Sequence, residues 1–156
     1  PYMLVMLMME VLGREYAEWD AGVLATDISE NALNIALAGV YGTERTANLP
    51  EAMRRKYFRS LDEGRLAVRD EVKREVTFRR FNLMSTSFPF KKPFHMIFCR
   101  NVMISFDRPT RTALVDRYYH HTAPGGYLFI GHSESLGRDK CPYKYVQPAL
   151  YRKEGP

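Results

Sequence analysis

Four residues with ligand-binding side chains stand at or near the ends of apolar runs: Asp27 in GVLATDI, Asn82 in VTFRRFNL, and the neighbours Arg100 and Asn101 in FHMIFCRNVMISF. A carboxylate has two oxygens that match the two hydroxyls of a ribose, and an acid at the end of a strand in a nucleotide-binding sheet commonly takes that role. An amide presents a donor and an acceptor, the pattern of an adenine edge. A guanidinium is a permanent charge that orients acids or a polar cofactor. Each residue also has a purely structural reading. Asp27 with Glu30 three residues later matches a helix capping box, Asn82 can simply turn the chain, and Arg100 can form a surface salt bridge.

The elements that must hold these groups are legible as a succession of patterns. MLVMLMMEVLG is apolar nearly all round and closes on Gly13, which predicts a buried helix with a glycine stop. GVLATDI predicts a strand, and SENALNIALAGVYG repeats apolar positions Ala32, Leu33, Ala36 and Leu37 at helical spacing. Residues 40–75 change character, with PEAMRRKYF helical and GRLAVRDEVKREV alternating like short antiparallel strands, so this region reads as an insert or β-subdomain. VTFRRFNL and FHMIFC predict two further strands. RPTRTALVDRYYHHTA predicts an amphipathic helix with Pro109 in its first turn, and GGYLFIGHS a strand entered by a Gly-Gly turn. The stretch YKYVQPALYRK predicts one antiparallel edge strand with Pro148 at a bulge or edge. Strands alternating with helices, and runs such as HMIFC and YLFI that are continuously apolar, predict a mostly parallel sheet covered on both faces. In such sheets ligands bind beyond the carboxyl ends of the strands, where Asp27, Asn82, Arg100 and Asn101 fall.

Composition narrows the class. The chain has 156 residues, 46% hydrophobic and 26% charged, the values of one ordinary water-soluble domain. The longest apolar segment, PYMLVMLMMEVL, is too short to cross a bilayer and lacks signal-peptide flanks, which together predict a cytoplasmic protein. A net charge of +5 from scattered Lys and Arg suits an acidic partner without demanding nucleic acid. Cys99 and Cys141 have no metal or disulfide spacing, and His120 and His121 have no metal-binding residue at i+4. GHSES places His132 beside Ser133 without a nucleophile elbow, and strand neighbours face opposite sides, so hydrolase chemistry is disfavoured. Phe78, Phe81 and the tyrosines among arginines could stack on RNA, but that alternation also describes a half-exposed strand.

ATDIS, FNL, IFCRNVMISFD and GGYLFIGHSESL, in this order and spacing, resemble the CheR family of chemoreceptor glutamate methyltransferases over residues 1–153. The resemblance implies an α/β fold of the class I, Rossmann-like methyltransferase type with a small inserted antiparallel β-subdomain. It implies S-adenosylmethionine as cofactor, S-adenosylhomocysteine as product, and methyl esters formed on glutamate side chains of chemoreceptor cytoplasmic domains. By position it makes Asp27 the ribose-binding acid, Asn82 and Leu83 the adenine-side contacts, and Arg100 with Asn101 the pair beside the cofactor. It assigns no catalytic residue and no metal. That accords with the chemistry, because a glutamate carboxylate is already ionised at neutral pH and is itself the nucleophile.

The sequence departs from the family pattern in two places. Ser105 stands where the family usually has a tyrosine close to the transferred methyl group, and the family's glycine-bearing first strand, its loop and a small helical domain would precede Pro1. These departures lead to the expectation that the sheet is incomplete at its N-terminal side and that the chain is a fragment, or that neighbouring chains supply the gap. The insert resembles a subdomain that in some members docks a receptor-borne peptide, and its short YFRSLDEGRLAVRDE turn predicts no such docking. A reading from another class, a non-catalytic CheR-like module that senses cofactor or binds a partner, rests on Ser105 and on the missing loop.

Overall fold

The apolar run that closes on glycine forms helix α1 (Tyr2–Leu12), ended by Gly13 at φ 54°. The computed structural model describes residues 1–62, 64–137 and 141–155, which fall into two units, Pro1–Asn82 and Leu83–Pro156. In the first unit α1 is covered on one side only. Tyr2, Val5 and Met6 are buried, whereas Met3, Leu7 and Val11 are exposed, Val11 by 83%. The expected all-round burial is therefore not seen: spacings of three and four residues gather the buried set on one face.

A short 3-10 segment, Gly13–Glu18, leads to strand β1 (Val23–Asp27), which pairs in parallel with β5 (Val76–Arg80) from Val23–Val76 to Asp27–Arg80. Helix α2 (Glu30–Ala38) follows β1 and stops at Gly39, whose φ of 62° is left-handed. The insert then contains β2 (Val40–Gly42), α3 (Thr43–Thr46), α4 (Glu51–Tyr57), β3 (Phe58–Asp62), β4 (Arg65–Val68) and α5 (Asp70–Lys73). Its strands form an antiparallel sheet in the order β2-β4-β3, as the alternating pattern predicts. The alternation does not continue past Val68. Asp70–Lys73 is a helical turn with acids first and a lysine last, matching the helix dipole, and it buries Val72. Glu63, between β3 and β4 in the sequence, lies outside the described residues. Val5, Met6, Tyr57, Phe58, Val68 and Val72 form the centre of this unit's core.

The second unit contains β6 (Phe94–Cys99), a 3-10 turn at Met103–Ser105, α6 (Arg108–His120), β7 (Thr122–Ile130), β8 (Lys144–Gln147) and β9 (Leu150–Arg152). The sheet order is β6-β7-β9-β8, with β6 and β7 parallel and the other pairs antiparallel. Strand β7 starts before the Gly-Gly pair, and its register against β6 shifts across those glycines. A Cβ at Gly126 would lie 2.8 Å from the Ala123 carbonyl and 2.9 Å from that of His95, so the bulge admits only glycine there. The segment from Lys144 onward makes two strands where one was expected, because Ala149 takes a left-handed φ of 65° directly after Pro148 and folds a hairpin. His132 and Ser133 occupy an exposed turn after β7 and not the strand itself. Asp107 caps α6 by accepting from the Thr110 N–H at 2.9 Å, and Leu114, Val115 and Tyr118 pack its inner face against Cys99, Leu128 and Ile130. Among the described residues no helix is long and apolar enough to cross a membrane.

Candidate cofactor-binding site

At the carboxyl end of the β1–β5 pair, Asp27 lies opposite Arg80 and its carbonyl accepts from the Phe81 N–H at 3.0 Å. Its carboxylate Oδ1 accepts from the Ser29 N–H at 2.8 Å. Ser29, not Asp27, is the N-cap of α2, its Oγ accepting from the Ala32 N–H at 3.2 Å. The capping-box reading of Asp27 is thereby corrected. Asp27 is still paired within the strand, so the first position free to cap falls two residues later. Glu30 pairs instead with Arg80 Nη1 at 2.9 Å, while Arg80 Nε donates to the Ile28 carbonyl at 3.2 Å. Arg80 thus braces the chain that follows Asp27. Asn82 is exposed two residues beyond Arg80, at the same end of the pair as Asp27. Leu83 opens the second unit, half-buried against its core, with its carbonyl accepting from Arg117 Nη2 at 3.3 Å.

Arg100 and Asn101 directly follow β6. Arg100 is exposed, and Asn101 adopts a left-handed φ of 59°, a conformation Asn tolerates better than most residues. The Asn101 N–H donates to Glu134 Oε2 at 3.2 Å, and the same oxygen accepts from the Gly131 N–H at 2.6 Å. Glu134 is only 8% exposed, and its Oε1 is buried with no hydrogen-bond partner among the described residues. Gly131 is crowded: a Cβ would stand 2.7 Å from both Asn101 Oδ1 and Glu134 Oε2, so those side-chain ends would have to shift to admit one. Arg100 also borders a shallow cavity of about 220 Å³ with Phe98, Phe129, His132, Gln147 and Leu150. A larger recess of about 310 Å³ between α1 and α4 touches none of the residues singled out in the sequence. The polar strand ends, not cavity size, mark the candidate site.

Ser105 is exposed, and its Oγ donates to the Val102 carbonyl at 3.2 Å. Cys99, one residue before Arg100, is buried, and burial pushes its thiol pKa up. No cluster of three or more His, Cys, Asp or Glu side chains that could hold a metal occurs among the described residues. Sequence reasoning missed Arg80, Gly131 and Glu134. The available signal was a glutamate three residues after a glycine that ends a buried strand. The structure brings Asp27 and Asn82 to one strand end in the first unit, and Arg100 and Asn101 to another in the second. Asp27 keeps Oδ2 without a partner among the described residues, which suits a ligand hydroxyl donor.

Residues 1–151 match the model of the CheR methyltransferase SAM-binding domain. The chain is 39% identical over 153 residues to the chemotaxis protein methyltransferase of Borreliella burgdorferi, covering 98% of this chain and 54% of that protein. It is 37% identical over 139 residues to the chemotaxis protein methyltransferase of Escherichia coli, covering 87% and 48%. The chain thus spans about half the length of these curated relatives. Among solved structures it is similar to the glycopeptide N-methyltransferase MtfA complexed with S-adenosyl-L-methionine, at 18% identity and a TM-score of 0.44, over 88% of this chain and 45% of that one. With its α/β fold, its polar strand ends and a family match over nearly its whole length, this chain belongs to the CheR methyltransferases, as their S-adenosylmethionine-binding domain.

Proposed function

We propose that the chain is the cofactor-binding part of a cytoplasmic protein-glutamate O-methyltransferase that acts on the cytoplasmic domains of chemoreceptors. Residues 1–153 constitute its methyltransferase domain, with 40–75 as the insert. The observation that carries this reading is the polar step at the end of β6, where Arg100 is exposed beside a left-handed Asn101. S-adenosylmethionine, when bound, supplies a methyl group on a sulfonium sulfur. Asp27 would hold the ribose hydroxyls, Asn82 and Leu83 the adenine, and Arg100 with Asn101 the region beside the reacting end. The cofactor would supply an electrophilic methyl group to a substrate carboxylate that is already ionised. No proton moves, so these residues need only align the reactants and exclude water. Arg100 is suited to orient the incoming acid, because a guanidinium presents a planar fork of donors that matches a carboxylate.

A titration of S-adenosylhomocysteine into the chain, with Asp27→Ala alongside, tests the cofactor assignment. We expect binding in the unmodified chain and a loss of about tenfold or more in the variant, since each lost charge-assisted hydrogen bond is worth about 1.5–3 kcal/mol. Equal affinities would refute the role given to Asp27. Methyl transfer from labelled cofactor to receptor-containing membranes then tests the substrate. Ser105 favours a second reading, a module that binds cofactor without transferring the methyl group, because its hydroxyl is turned back onto the Val102 carbonyl. Cofactor binding without transfer, and transfer restored by Ser105→Tyr, would assign the chain to that second reading.

A further inference from the structure

Two locally costly features meet at the end of β6. Asn101 is held in the left-handed region, and Glu134 buries a carboxylate with one of its oxygens unpartnered among the described residues. A buried acceptor without a donor is unfavourable, and an apolar side chain at position 134 would avoid that cost. Stability alone does not account for a glutamate there. Its other oxygen accepts from two backbone N–H groups that belong to different elements, Asn101 after β6 and Gly131 after β7. Glu134 itself sits on the turn whose Glu134 N–H donates to the Gly131 carbonyl at 3.0 Å. The turn is closed on itself before it reaches across to Asn101.

We infer that Glu134 is a positioning residue. Through Oε2 it ties the Arg100–Asn101 step to the end of β7 and holds the backbone of Asn101 in its left-handed conformation, which sets the direction in which the Arg100 guanidinium leaves the strand. This rests on the reading of Arg100 and Asn101 as cofactor-site residues. The close packing at Gly131 accords with it. Asn101 Oδ1 and Glu134 Oε2 both lie 2.7 Å from where a Cβ would be, so the side chains of the step and of the turn close on the same backbone position. Backbone strain held by surrounding contacts is characteristic of sites whose geometry matters more than their stability.

The chemistry of the clamp separates the variants. Glu134→Gln still presents one carbonyl oxygen that can accept from both amides, with its NH2 in the place of Oε1, whereas Glu134→Ala presents none. Two measurements are made on the unmodified chain and on both variants: hydrogen exchange resolved at the Asn101 and Gly131 amides, and calorimetric titration of S-adenosylhomocysteine. Glu134→Ala is expected to lose protection at both amides and to weaken binding about tenfold, with Glu134→Gln recovering most of each loss. Protection that persists in a folded Glu134→Ala chain would overturn the clamp. Protection lost with affinity unchanged would overturn the positioning role. If Glu134→Ala fails to fold, Glu134→Met, which fills the space without an acceptor for the two amides, takes its place: protection lost at both amides in the folded chain supports the clamp and protection kept overturns it, whereas failure of both to fold reduces Glu134 to a fold requirement and overturns the proposal. Absence of binding by the unmodified chain would refute the cofactor-site reading, and the exchange data, which need no ligand, would still decide the clamp.

Discussion

At the scale of single residues, burial separates side chains that look alike in the sequence. Cys99 is buried and Cys141 half-buried, and desolvation pushes both thiol pKa values up, so neither is an activated nucleophile. We predict that a thiol-alkylating reagent modifies Cys141 slowly in the native chain and reaches Cys99 only on unfolding. Equal rates under native conditions, read by peptide mass spectrometry, would contradict this. Asp27 illustrates how far residue types alone could be read. Its place at a strand end was legible because an apolar run precedes it. Its relation to α2 was not, because Asp27 and Ser29 are both good caps and only the pairing of Asp27 with Arg80 decides between them. Glu134 was hidden for a similar reason: GHSES continues an apolar strand in the sequence, and the chain leaves that strand at Gly131 to make the turn on which Glu134 faces inward.

At the scale of elements, helix α6 is the best specified by its own sequence, with Pro109 in its first turn and Asp107 as its cap. Hydrogen bonds from the Thr110 side chain and backbone, the largest causes, hold the Asp107 carboxyl below its ordinary value of 3.8. A carboxylate whose pKa is lower in the folded state stabilises that state above the ordinary value and loses the contribution as pH falls through the folded value. The stability of α6 should therefore decline on acidification below about pH 4, and less steeply in Asp107→Asn, which keeps an acceptor without the charge. Urea unfolding followed across that range checks it, and parallel acid limbs would refute it. Boundaries elsewhere were less legible. The alternation after Val68 looked like strand, yet an apolar residue at position 72 between polar neighbours serves a single helical turn equally well. Pro148 announced an irregularity, but the left-handed Ala149 that turns it into a hairpin has no signature in residue type.

At the scale of the whole molecule, each unit has its own core, one around Val5 and Val72 and the other around Leu114 and Leu128. All four of these residues are fully buried. Leu114→Ala should cost about 2–5 kcal/mol, from the lost transfer energy and the cavity left behind. The loss should appear in hydrogen exchange of the β7 amides, and a cost below about 1 kcal/mol would show that the site collapses around the smaller residue. The α/β class was legible because it follows from the order of apolar runs, whereas the sheet order β6-β7-β9-β8 was not, since it depends on long-range pairing. That order bears on synthesis. Of the described strands of this sheet β9 comes last in the sequence, yet it lies between β7 and β8 and brings Tyr151 into the core. Until Leu150–Arg152 has been made, β7 lacks β9 on one edge and β8 lacks its partner among the described strands, so the order β6-β7-β9-β8 cannot form on the ribosome before β9 has left the exit tunnel. A chain terminated at Pro148 should accordingly be recovered as aggregate or degraded, and soluble accumulation of that product would show that the hairpin is dispensable.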